Sequence, residues 1–216
     1  MKSISIYLIL FLISQIQVSE IFCQTSADVP LSEEMLLFIE NCDVLLHAIS
    51  DKDKYLIADA SEAFEELGVI ELEESDFSLS VSSPNAIGLP DIQFCSEYCD
   101  LLRSTDFVIV EREPLSLLRA NMPDAVSIVS RSISPQTSAI FTFQGQGEME
   151  MVVPSDNPEI LSVELIYDNS SITLSTEDQT IFPFSSWRFN DEQLHSFSVK
   201  LTNNSDKKIS FAIALR

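Results

Sequence analysis

The sequence predicts an α+β protein, with a small helical N-terminal domain followed by an antiparallel, jelly-roll-like β-sandwich. Three observations lead there. Beyond residue 134 apolar and polar residues alternate in short runs separated by polar turns, and between residues 33 and 67 apolar residues recur at helical spacing. The charge is also uneven, with 22 Asp and Glu against 6 Lys and Arg in residues 24–134 but 11 against 5 in residues 135–216.

In chain order, Met1-Lys2 precedes an apolar run over 4–13, broken only by Ser5, and a more polar stretch to Glu20. The run is short for a bilayer span and follows a single basic residue, which is the pattern of a signal peptide. Cleavage is expected after Cys23, leaving Gln24 first. A lipid anchor on Cys23 is not expected, because Ile21-Phe22 lacks the small residues such a site needs. The expected division is therefore a leader over 1–23, a mainly helical acidic domain over 24–124 and a sandwich over 125–216. No other apolar stretch approaches twenty residues, so no membrane insertion is expected once the leader is removed.

Leu31, Ser32 and Glu33-Glu34 read as staple, N-cap and an acidic first turn, after which Met35, Ile39, Cys42, Leu46 and Ile49 share one helical face. A second helix is expected from Asp51 or Asp53, with Leu56, Ala60, Ala63, Phe64 and Leu67 inward and Gly68 just past its end. The short connection makes the pair an antiparallel hairpin that needs a third element to cover it. From Glu71 to Pro90 the composition changes to that of an exposed loop with one short strand, Phe77-Ser78-Leu79-Ser80-Val81. A third helix should follow Pro90, capped by Asp91, with Phe94, Cys95, Tyr98, Cys99 and Leu102 inward. A short strand over 107–110, a brief helix over 114–120 and a break at 121–124 complete this half.

In the second half Ala139-Ile140-Phe141-Thr142-Phe143 and Glu148-Met149-Glu150-Met151-Val152-Val153 place an apolar side chain on alternate positions. Leu161 to Tyr167 repeats the pattern, and Asp168-Asn169-Ser170-Ser171 turns the chain into Ile172-Thr173-Leu174 as a hairpin. Further strands are expected over 180–189, 194–202 and 208–215. The last two should pair, with Val199 and Leu201 opposite Phe211 and Ile213.

Phe141-Thr142-Phe143, the Gly145-Gln146-Gly147 turn, the strand end Leu165-Ile166-Tyr167-Asp168 and the closing Ile209-Ser210-Phe211-Ala212-Ile213-Ala214-Leu215 resemble bacterial pre-peptidase C-terminal domains. The resemblance implies a jelly-roll-like sandwich with an accessory role in a secreted protein, and it brings no functional residues. The sequence departs from that family at Leu194-His195-Ser196-Phe197-Ser198-Val199, where a Gly-x-Tyr-x-Ile/Val strand is frequent.

Cys42, Cys95 and Cys99 remain after the leader, an odd number for an oxidising compartment. A bridge from Cys42 to Cys95 or Cys99 would staple the third helix to the first, and buried thiols are the alternative. Cys95 and Cys99 lie one helical turn apart, but no second Cys or His pair completes a tetrahedral metal site. Asp51, Asp53, Asp59 and Glu62 imitate part of a calcium loop, yet Leu56 occupies the position that requires Gly, and helical periodicity explains the same residues. Ile181 to Phe189 is the most aromatic stretch. There Phe182, Phe184 and Trp187 form either a platform for a sugar or peptide or, as the bland alternative, part of the sandwich core.

No catalytic site is expected. His47 and His195 are the only histidines and neither lies near a nucleophile elbow or a His-Glu-x-x-His pair. Only four glycines are present and none forms a phosphate-cradling loop, so no cofactor is expected. A net charge of −22 opposes binding to nucleic acid or to anionic lipid. The expected function is a non-catalytic binding or accessory module in a bacterial envelope or outside the cell, with a protein or glycan partner. The alternatives are a secreted hydrolase and a subunit of a surface assembly completed by strand addition.

Overall fold

The computed structural model describes residues 31–104, 125–158, 160–167, 170–174 and 185–216. The leader, the strand expected over 107–110 and the helix expected over 114–120 lie outside them. Helix α1 spans Glu33–Asp51. Ser32 caps it, its Oγ accepting from the Met35 N–H at 3.3 Å, and Glu33 and Glu34 occupy the positive end. The buried stripe runs through Met35, Phe38, Ile39, Cys42, Leu45 and Ala48. The expected stripe is thus corrected at its C-terminal end, where Leu46 and Ile49 are half-buried flanks.

Helix α2, Lys54–Glu66, starts at Asp53, whose Oδ1 accepts from the N–H groups of Tyr55 at 2.9 Å and Leu56 at 3.3 Å. It buries Ile57, Ala60, Ser61 and Phe64, whereas Leu56, expected inside, faces out. Gly68 has φ of 60° and closes the helix as expected: its N–H donates to the Glu65 carbonyl at 3.0 Å and that of Val69 to Phe64 at 3.2 Å. A side chain at Gly68 would be strained in this left-handed conformation.

Three strands follow where mainly loop was expected: β1 (Ile70–Glu71), β2 (Ser78–Val81) and β3 (Ile87–Gly88). Helix α3, Ser96–Ser104, begins later than the Asp91 start read from the sequence. The apolar set expected there is buried, Phe94 and Cys95 just before the helix and Tyr98, Cys99 and Leu102 within it. Asp91 serves another purpose, its carbonyl accepting from the Tyr98 hydroxyl at 2.6 Å.

The remaining strands are β4 (Ser127–Ile133), β5 (Thr137–Val153), β6 (Leu161–Tyr167), β7 (Ser170–Leu174), β8 (Ser185–Asn203) and β9 (Ile209–Leu215). Among the described residues these strands join in one sheet of order β1-β4-β9-β5-β8-β6-β7, with β2 added to β5 and β3 to β4. Pairing is antiparallel except between β1 and β4, so the sheet is mixed rather than purely antiparallel. The expected β6–β7 hairpin forms, with Leu165 opposite Ile172. The expected pairing of the last two strands does not. Val199 lies opposite Phe141 and Leu165, while Phe211 lies opposite Arg131, because β9 inserts between β4 and β5. Gly147, at φ of 82°, sits at a register shift in β5, where the left-handed conformation again favours glycine.

Strand β9 organises the packing, since all seven of its residues are buried. Ile209, Phe211, Ile213 and Leu215 join Phe141, Met151, Trp187, Phe197, Val199 and others in the core formed by the sheet. Ala212 and Ala214, on the alternate positions, join Val126, Ile128 and Val152 in a second core with α1, α2 and α3. The helical and β-rich parts therefore share a layer, and the segment 70–88 contributes strands to the same sheet as residues 127–215.

Candidate functional site

The three thiols all lie in the helical core. Cys42, Cys95 and Cys99 are buried and free, so the bridge anticipated from Cys42 is not formed in the structure. Each acts as a small apolar side chain. Burial pushes the Cys42 and Cys95 thiols well up and Cys99 up to about 12, far from the thiolate a nucleophile or ligand needs.

Trp187 follows the core alternative rather than the platform. It pairs across strands with Met151, is 4% exposed and packs on Phe197 with centroids 5.3 Å apart, so its ring belongs to the sheet core. Phe182 and Phe184 lie outside the described residues. His47 is exposed on α1, its Nδ1 lying 3.0 Å from the Asp43 carbonyl and 3.2 Å from Asp43 Oδ1. His195 is placed in β8 opposite Gly145. Asp53, from the calcium imitation, is occupied as the α2 cap, and no group of three His, Cys, Asp or Glu that could hold a metal occurs among the described residues.

Three carboxylates that sequence reasoning left unassigned tie elements together. Glu150, 3% exposed on β5, accepts from the Ser32 N–H at 2.9 Å and from the Ser32 hydroxyl, and Arg188 Nε lies 3.6 Å away. Alternation with Met149 and Met151 marks Glu150 as a solvent-facing residue, but α1 starts over that face. Glu71 on β1 accepts from the Ser130 N–H and from Arg131 Nη1, each at 3.1 Å. Desolvation still holds its carboxyl above the usual range. Asp156 accepts from the Ser210 N–H at 3.1 Å and is raised for the same reason. Beside it the Ser210 hydroxyl accepts from the Asp91 N–H at 3.0 Å, and Lys208 Nζ donates to Asp91 Oδ1 at 2.5 Å.

The surface feature that stands apart is β2. All four of its residues are exposed, and it pairs on one side, with Leu79 opposite Phe141 and Val81 opposite Ala139. Those partners are core residues, so Leu79 and Val81 lie on the core-facing side of the sheet yet remain 43% and 40% exposed. Just beyond the strand the Ser82 N–H donates to the Ser138 carbonyl at 2.9 Å. Alternation along an antiparallel ladder then aims the backbone groups of Ser78 and Ser80 at β5 and those of Leu79 and Val81 away from it. Among the described residues no strand pairs with that outer side. The strand is preceded by a turn in which Asp76 Oδ2 accepts from the Glu73 N–H at 3.0 Å, with Glu73 and Glu74 exposed.

No family model and no curated protein matches this sequence. Among solved structures, a de novo designed double-stranded β-helix is similar at 15% identity and a TM-score of 0.27, over 41% of this chain and 97% of that one. The enzymatically active domain of bacteriophage CBA120 tailspike protein 4 is similar at 10% identity and a TM-score of 0.34, over 66% of this chain and 19% of that one. A family two carbohydrate esterase from Cellvibrio japonicus is similar at 11% identity and a TM-score of 0.26, over 64% and 32%. This chain thus spans about a fifth of the tailspike chain and a third of the esterase. At these TM-scores none of the three bears on what this chain does.

Proposed function

We propose that the chain is an exported, non-catalytic binding or accessory module of a bacterial envelope or extracellular space, its β-rich part a jelly-roll-like sandwich of the pre-peptidase C-terminal kind. The observation that supports this reading most is how three of the described carboxylates are used. Glu71, Glu150 and Asp156 each accept from backbone N–H groups of a neighbouring segment, so redeploying one on a substrate would leave a buried donor unmet. Apolar side chains stay uncovered on β2 meanwhile, where binding needs no such loss.

The test uses the exported chain. N-terminal sequencing after expression with its leader should give Gln24, and a panel of ester, glycoside, peptide and phosphoester substrates should show no turnover above that of Glu150→Gln and Asp156→Asn variants. Turnover by the wild-type chain that either variant abolishes would contradict the reading.

A further inference from the structure

Resting on that reading, we propose that the outer edge of β2 is a docking site for an extended, basic segment of a partner protein, which adds to the sheet as a further strand. The backbone groups of Leu79 and Val81 point outward by the ladder parity set at Ser82–Ser138. Their side chains continue the apolar face of Phe141 and Ala139 past the point where that face is covered. An incoming strand meets both needs together, pairing the outward groups and laying its own alternate apolar residues beside Leu79 and Val81.

Edge strands left open in this way are ordinarily guarded by inward charges, lysines or proline. β2 reads Ser-Leu-Ser-Val and carries none of these. Charge selects the occupant. The chain carries a net −22, and Glu73 and Glu74 are exposed at the turn leading into β2. Two copies meeting edge to edge would repel, whereas a segment with lysine or arginine on its solvent-facing alternate positions is attracted to this flank.

The probe is a fluorescein-labelled peptide, acetyl-Thr-Val-Lys-Val-Lys-Val-Lys-Thr-amide, titrated against the full mature chain by anisotropy. Saturable binding is expected that weakens with salt, and at least tenfold weaker binding is expected for the same peptide with Glu in place of Lys. Leu79→Pro removes an outward N–H that makes no bond to β5, so it should weaken binding at least tenfold while the urea midpoint holds. Should that variant misfold, the pair Leu79→Lys and Val81→Lys leaves the backbone intact and should exclude the cationic probe equally.

Absence of saturable binding, equal affinity for the two peptides or unaltered binding by the variants would overturn the proposal. So would a dimer dispersed by Leu79→Pro, which assigns the edge to a second copy, or slow amide exchange at Leu79 and Val81 in the free monomer, which assigns it to the chain itself. If the peptide fails to bind while the substrate panel stays silent, the docking site falls and the non-catalytic reading stands.

Discussion

Strands β9 and β2 are built from similar material, larger apolar residues interleaved with serine or alanine, and the structure treats them oppositely. β9 lies between two neighbours, has sheet core on one face and helices on the other, and is buried throughout. Among the described residues β2 has one neighbour, and none of its own residues is buried. Alternation alone therefore fixes which side chains share a face, and position in the sheet decides whether that face meets protein or water. The comparison also separates two placements of apolar surface: in β9 it holds the fold together, and in β2 it stays exposed.

Substitutions should respect that division. The largest effect is expected in β9, where Phe211→Ala removes a fully buried ring packed edge-on against Phe141 at 5.8 Å, costing about 3–5 kcal/mol by urea denaturation. A loss below 1 kcal/mol, on the order of a surface change, would break the contrast. Next, Glu150→Ala strips the acceptor from the Ser32 N–H and should cost about 1–3 kcal/mol. Faster amide exchange at the start of α1 would show that the loss falls there, and Glu150→Gln, which keeps an acceptor, should cost less.

A smaller effect is expected in the pH dependence. Glu71 and Asp156 are both held above the ordinary carboxylate range by burial. A carboxyl raised in the folded state supplies stability that is present below its ordinary value, about 4, and lost as pH rises through the folded value. Glu71→Gln and Asp156→Asn should each flatten the decline in urea midpoint over that window, and an unchanged profile in both would show that burial does not govern these groups. The smallest effect belongs to β2, where Leu79→Ser should shift stability by about 0.5 kcal/mol or less. A larger shift would mean that β2 is structural.

Much of the architecture was legible in the residues. Ser32 and Asp53 cap their helices, Gly68 ends α2, and the β6–β7 pair follows from alternation flanking a polar turn, because these signals act within a few residues of where they are read. What was illegible depended on distant partners. β9 reads as the second arm of a hairpin with β8, and only the competing offers of β4 and β5 draw it away. In segment 70–88 only β2 reads as a strand, since β1 and β3 are two residues long and acquire their pairing from β4. Glu150 looks solvated in its own strand and is buried by a helix 118 residues away in sequence. Trp187 illustrates the converse: its aromatic neighbourhood signals either a surface or a core, and its contact with Phe197 is what decides.

That helices and sheet share β9 as a common layer is the proposition on which the rest depends, and one experiment addresses it directly. Trp187, the single tryptophan, reports on the sheet, and ellipticity at 222 nm reports chiefly on the helices. Followed together through urea, the two signals should give coincident midpoints and a single cooperative transition, since Ala212 and Ala214 contribute to the helical core while Phe211 and Ile213 contribute to the other. Loss of helical signal at a lower urea concentration, with Trp187 emission still native, would mean that two separate domains meet at β9 rather than share it.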